Sequence, residues 1–484
     1  MLPHHQVSFV APGSGKRERV EGGRSIVLYP PTYAPEPGLF HQLEFALKYE
    51  GVSLEILSAL FEKEPRKTLE PRLQEYIQQR PTGQYSRRLW FLYEFLTGNR
   101  LDLPDAASGN YVPLLDSEAY FTGTEERSRR HRVINNLLGT VDFCPMVRRT
   151  GKLKHFASLD LAKEVSRLMG EYDEDVLRRA VQYLYAKETR SSFAIEREKP
   201  SPDRTERYVA LLRRVPQWDT LDEAALTAIQ NQTVDPRYAE AGYRQEQNYV
   251  GETVSLSDQK VHYLPPRPED VPTLMQGLLA SLERMAKARV DPIVHAAAVA
   301  FGFVLIHPFL DGNGRLHRLL IHYILSRSGF TPQGLIFPVS AVMLQKSSEY
   351  DACLESFSVA LMQQVDYTHD DDWHVTVKGK TGNLYRAIDC TRMAEDLYAW
   401  TEETIRTEFR KELEFIVRYR QAREQMERVV DMPDRQLNLF IQVVLQNKGR
   451  LSATKRASHF ELLTDEEVQA LETILQEQFL KGST

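Results

Sequence analysis

The stretch from Asp291 to Ile306, DPIVHAAAVAFGFVLI, sets the strongest limit on what this chain can fold into. Aspartate before proline is a helix start. The carboxylate can accept from the first free amides, and proline lacks an N–H that would go unsatisfied there anyway. The residues after Pro292 are apolar nearly throughout and include the eleven-residue run AAAVAFGFVLI. A helix that is apolar all round belongs inside a protein. The run is also well short of the ~20 residues needed to cross a bilayer, so it predicts a core helix and no membrane association.

Helical patterning dominates elsewhere, and the predicted fold class is mainly α. Apolar residues recur at three- and four-residue steps through FHQLEFALKYEG, LEILSALF, LQEYIQQR and RRLWFLYEFLTG, the last stopping at Gly98. RVINNLLG and LDLAKEVSRLMGEY continue the pattern, so residues 1–174 read as a helical N-terminal region. Its first 35 residues or so are polar and Gly/Pro-rich and read as a loosely ordered tail. A core at 175–365 carries further helices and, at GYRQEQNYVG (Gly242 to Gly251), a hairpin signature. Residues 366–484 read as a β-hairpin around KGKTGN followed by a helical, winged-helix-like domain. Asp370 to Asp372 would be a solvated loop.

The net charge of −6 argues against a global basic field for nucleic acid or anionic membrane. Three cysteines, odd in number and without CxxC spacing, argue against a disulfide framework or a cysteine zinc site, and they imply a reducing compartment. With no apolar leader evident, a cytoplasmic location is expected.

Chemistry concentrates in HPFLDGNGRLHR, residues 307–318. Gly312 and Gly314 let a ligand approach the backbone closely, and the loop opens a helix whose N-terminal amides favour anions. Asp311 is a hard oxygen ligand suited to Mg²⁺. Arg315 and Arg318 share a helix face and present planar forks to phosphate. His307 ordinarily titrates near pH ~6.5 and suits a general base. Together these describe a phosphate-transfer site.

The segment resembles the Fic (Fido) family signature HxFx(D/E)GNGRxxR at every specified position: His307, Phe309, Asp311, Gly312, Asn313, Gly314, Arg315 and Arg318. The resemblance implies a helical Fic core that moves AMP from ATP to a Ser/Thr/Tyr hydroxyl of a target protein, and to itself. His307 would take the hydroxyl proton, and Phe309 would anchor the loop. Asp311 would hold Mg²⁺. Asn313 and the loop amides would cradle the α-phosphate, with Arg315 and Arg318 on the outer phosphates. Gly314 favours AMP transfer, because phosphorylating relatives carry lysine there. Ser192 to Glu196 resembles the family's inhibitory helix motif (S/T)xxxE(G/N), except that Arg197 stands in the last place. Glu196 would then pair with Arg318, and in some relatives it also directs AMP removal. The hairpin, with Tyr243, Arg244, Tyr249 and Val250, would be the flap that docks the target by strand addition. Tyr350 would lie beside the adenine.

APGSGKRE lacks two Walker positions, with Val10 and Arg17 standing where Gly and Ser/Thr belong. An alternative makes the C-terminal region, with Lys448, Arg450, Lys455 and Arg456, a DNA- or protein-binding module regulated by the core. Phosphocholine or another nucleotide as donor, and homo-oligomerisation, remain open at this level.

Overall fold

The computed structural model describes residues 4–480 apart from 14, 22–23 and 256–257. Residues 1–3, part of the expected tail, lie outside them. Among the described residues from Gln6 to Tyr29, that tail instead forms a three-stranded sheet. Strand β3 (Arg24–Tyr29) sits between β1 (Gln6–Val10), which is parallel to it, and β2 (Arg17–Glu21), which is antiparallel. The sheet escapes a periodicity reading because β2, RERVE, is exposed along its whole length and has no buried face to alternate with.

Helices α1 (Leu39–Tyr49), α2 (Leu54–Lys63), α3 (Arg66–Gln79) and α4 (Gln84–Thr97) form as expected, α4 closing on Gly98 at φ 70°. The next stretch corrects the sequence reading. Short strands β4 (Val112–Pro113), β5 (Glu126–Ser128) and β6 (Val133–Asn135) form a sheet, so RVINNLLG is strand and loop rather than helix. Strand β7 (Cys144–Met146) pairs in parallel with a strand more than two hundred residues later. These residues and helices α1–α4 build one hydrophobic cluster.

A second, larger cluster surrounds the apolar helix. It begins with α5 (Gly151–Ala157), α6 (Leu161–Gly170) and the long α7 (Glu174–Ile195), then α8 (Pro202–Arg214) and α9 (Glu223–Thr233). The hairpin signalled at 242–251 is displaced: strands β8 (Val250–Ser255) and β9 (Asp258–Tyr263) pair antiparallel. Helix α10 (Val271–Lys287) leads to α11 (Pro292–Ile306), which starts as its signals predict. Asp291 Oδ1 accepts from the Ile293 and Val294 amides at 3.0 and 3.1 Å. Helix α12 (Asn313–Arg327) folds back along α11, and α13 (Val339–Gln345) and α14 (Ser347–Met362) come next.

The hairpin expected around KGKTGN does not form. Strand β11 (Val375–Val377) pairs back with β10 (Tyr367–His369), so the acidic run is their turn, held by the Asp370 carboxylate accepting from the Asp372 and His374 amides at 3.0 and 2.8 Å. After a single-turn α15 (Asn383–Arg386), β12 (Ala387–Asp389) joins β7 and ties the two clusters together. Helix α16 (Thr391–Glu403) continues through a π-helical stretch, Thr404–Phe409, into α17 (Arg410–Glu427). The far end of α17 packs with α18 (Asp434–Gln446), α19 (Ala453–His459) and α20 (Asp465–Phe479) in a third cluster. No strand comes after Asp389 among the described residues, so this part is helical without a wing. Lys448, Arg450 and Lys455 are exposed, whereas Arg456 donates to the Leu463 carbonyl at 3.1 Å.

Candidate active site

The α11–α12 connection places the chemical residues. His307 ends α11 in the left-handed region at φ 54°, and Gly312 opens α12 at φ 87°. Between them Phe309 is fully buried and the Asn313 side chain closes a ring with its backbone. Asn313 Oδ1 accepts from the Phe309 amide at 3.0 Å, and its Nδ2 donates to the Phe309 carbonyl at 2.7 Å. This changes the expected part of Asn313: its side chain shapes the loop and is not turned to a ligand. Two further groups brace the loop from outside. Glu240 Oε1 accepts from the Leu310 amide at 2.9 Å, and Gln230 Nε2 donates to the Asp311 carbonyl at 3.2 Å.

His307 Nδ1 lies 3.1 Å from the Val304 carbonyl, which assigns Nδ1 as the protonated nitrogen and leaves Nε2 with a free lone pair. Burial pushes its pKa down to about 4, so the ring is neutral at ordinary pH. Arg244 fixes the same spot from below. It is buried, its Nε donates to the His307 carbonyl at 2.8 Å, and its other nitrogens reach the Glu246 and Pro266 carbonyls. Tyr243 is likewise buried, edge-on to Phe309. Neither residue lies on a strand of the hairpin, which begins at Val250, so, contrary to expectation, the hairpin does not include them. Only Val250, exposed, and the half-buried Tyr249 adjoin the hairpin.

The two arginines of α12 are each 1% exposed and already engaged. Arg318 donates from Nε to Ser192 Oγ, and from one terminal nitrogen to the Ser192 carbonyl and to Glu196 Oε1, all at 2.8 Å. Its remaining terminal nitrogen is buried without a partner. Burial disfavours this guanidinium's charge, yet Glu196, Tyr350 and Tyr208 together outweigh that and hold the pKa above its usual value. Arg315 donates to Asp311 Oδ1 at 2.7 Å and approaches Glu198 Oε1 at 3.3 Å. Buried Tyr208 links the pair, 3.1 Å from Ser192 Oγ and 3.2 Å from the Arg315 carbonyl.

Gly314 makes the Glu196 contact geometrically possible. A Cβ built there would lie 2.1 Å from Glu196 Oε1, inside any van der Waals limit. Tyr350 is buried between His317 and Trp400, with ring centroids at 6.2 and 5.8 Å, and its hydroxyl faces Arg318. It belongs to the wall behind Arg318 and presents no open face. Sequence reasoning missed Glu198, Tyr208, Gln230 and Glu240. Glu198 sits in the charged REKPSPDR break, and nothing in the local sequence pairs these groups with residues 70 to 120 positions away.

Residues 220–325, from α9 through α12, match the model of the Fic/DOC family. The chain carries a Fic domain. Proteins from Drosophila sechellia and Drosophila melanogaster, each named protein adenylyltransferase Fic, are 32% identical over 169 residues, 34% of this chain. The matched stretch spans 27% of each fly protein. Among solved structures, a Fic family protein from Desulfovibrio desulfuricans overlays 65% of this chain and 85% of its own, at 19% identity and a TM-score of 0.39. Fic-1 from C. elegans covers 53% of this chain and 74% of its own, at 23% identity and a TM-score of 0.34. Beside the loop of the matched segment, Glu196 pairs with Arg318 at 2.8 Å.

Proposed function

We propose that this protein transfers AMP from ATP to a hydroxyl of a target protein and that Glu196 restrains it at rest. The observation that carries the reading is the convergence on one short loop of a neutral histidine with a free Nε2, a run of helix-opening amides, and two buried guanidiniums. The fly relatives' name, protein adenylyltransferase Fic, agrees with it. In the reaction the target oxygen attacks the α-phosphorus while the bond to the bridging oxygen breaks and pyrophosphate leaves. The hydroxyl proton passes to His307 Nε2. Catalysis of this kind is mostly positioning and charge stabilisation.

Arg315 and Arg318 would meet the outer phosphates once Glu198 and Glu196 withdraw. Asp311 suits Mg²⁺: it is one half-exposed carboxylate, and no group of three ligating side chains surrounds it among the described residues. That donor set fits an ion that brings its own waters and shares substrate phosphates, whose charge it would neutralise. Glu196 blocks by occupying Arg318, and AMP removal by the same carboxylate is part of the proposal. The target would dock along β8–β9, with Val250 at its start, rather than on 242–249.

Wild type, Glu196→Gly and His307→Ala are incubated with ATP and Mg²⁺ and read by intact mass. Glu196→Gly should gain one or more AMP groups well above wild type, and His307→Ala should gain none. If Glu196→Gly gains none on itself or on lysate proteins, the reading fails.

A further inference from the structure

A cavity lies at the other end of the α11–α12 pair, about 20 Å from the loop by helix rise. There α10, α11 and α12 surround about 430 Å³ with apolar walls from Leu282, Val290, Pro292 and Ile324. That volume is in the range of small-molecule pockets.

His295, on the first turn of α11, lines the cavity and is 5% exposed. Its Nε2 is buried with no hydrogen-bond partner, while the Leu282 backbone engages the ring. Buried polar atoms in folded proteins are nearly always paired, so an orphan nitrogen on a cavity wall calls for a polar group from outside the chain. Burial lowers this ring's pKa to about 4, so the missing partner meets a neutral imidazole.

Charge at the cavity is one-sided. Arg327 is spent on Glu283 at 2.6 Å and on the Tyr323 hydroxyl at 3.0 Å. Arg289 is exposed, also lines the cavity, and has no side-chain hydrogen bond or ion pair among the described residues. Of the nearby carboxylates, Glu283 is held by Arg327, and Asp291 caps α11 and accepts from Tyr398.

We propose that this cavity binds a small hydroxyaryl carboxylate, its ring between the apolar walls, its hydroxyl on His295 Nε2 and its carboxylate on Arg289. A hydroxyl serves either tautomer of the histidine, because it both donates and accepts. A ring fills apolar volume at low entropic cost, and a guanidinium matches a carboxylate fork. The inference does not depend on the nucleotide reading of the loop.

Calorimetry with the whole 484-residue chain tests it, using 3-(4-hydroxyphenyl)propanoate and 3-phenylpropanoate as probes. The hydroxy acid should bind about tenfold more tightly than the deoxy acid, the value of one buried hydrogen bond. Arg289→Glu, a surface change, should weaken both by at least about tenfold. His295→Phe should erase the preference for the hydroxyl. The probe comparison on wild type and Arg289→Glu remain decisive if His295→Phe does not fold. No heat at millimolar probe, equal affinity for the two acids, or binding untouched by Arg289→Glu would each overturn the assignment.

Discussion

Arg197 closes helix α7 in the left-handed region at φ 57°, immediately after the glutamate that holds Arg318. Its amide donates to the Ala194 carbonyl at 3.0 Å, and the Glu198 amide reaches back to Phe193 at 3.0 Å. Those two bonds make a Schellman turn with Arg197 at the position that glycine usually fills. A non-glycine residue there carries a steric penalty of roughly 1–2 kcal/mol. Glycine would remove it but would lose roughly 0.5–1 kcal/mol more chain entropy on folding. The net expectation for Arg197→Gly is a turn more stable by about 0.5–1 kcal/mol, so its opening becomes about two- to fivefold rarer. Hydrogen exchange at the Glu198 amide should slow by that factor. Basal AMP transfer should fall alongside it, since an open turn releases Glu196. Arg197→Val, β-branched at positive φ, should act in the opposite direction. Exchange that is unchanged or faster in Arg197→Gly would refute the reasoning, as would Arg197→Val leaving both readouts at wild-type values.

Three other outcomes are expected. Because the folded His307 pKa is depressed to about 4, kcat/KM of Glu196→Gly should stay level from pH 7.5 to 5.5 and fall only as pH drops through about 4; an inflection near pH 6.5 would contradict the neutral base. The same depression at His295, to about 4, and His317, to about 3, means the unfolded chain binds more protons below pH ~6.5, so denaturant midpoints should decline from pH 7 toward pH 5. Arg244→Met strips a charged donor from three carbonyls at once and should cost about 3–5 kcal/mol in urea unfolding, with AMP transfer lost even where the protein stays folded.

Legibility in the sequence tracks the range of the interactions involved. The loop His307 to Arg318 is legible because its chemistry is contiguous, and the Asp291–Pro292 start of α11 because capping is local. The Glu196–Arg318 contact becomes legible only through the family resemblance. By contrast β1 pairs with β3 across an intervening strand, and β7 waits for β12 from the other end of the chain, so neither pairing shows in the local periodicity of one strand. The sequence signals the flap too early because Gly242 and Gly251 mimic a hairpin's ends. Two residues of 242–249 instead brace the loop, Arg244 on the His307 carbonyl and Asn248 Nδ2 on the Phe309 carbonyl at 3.1 Å. Resemblance assigns Asn313 to a phosphate, but both of its side-chain polar atoms serve the backbone beside it.

The uninterrupted run from Thr391 to Glu427 acts as an angular index as well as a tether. Its first half is clamped in the large hydrophobic cluster through Trp400 and Phe409, and its far end is gripped by Phe440 and Leu471 through Ala422 and Met426. With no loop to absorb slack, each residue inserted or removed between the two grips would turn the C-terminal helices by about 100° and move them by about 1.5 Å. The wider π-helical winding at Thr404–Phe409 therefore sets the compass bearing of whatever those last helices meet.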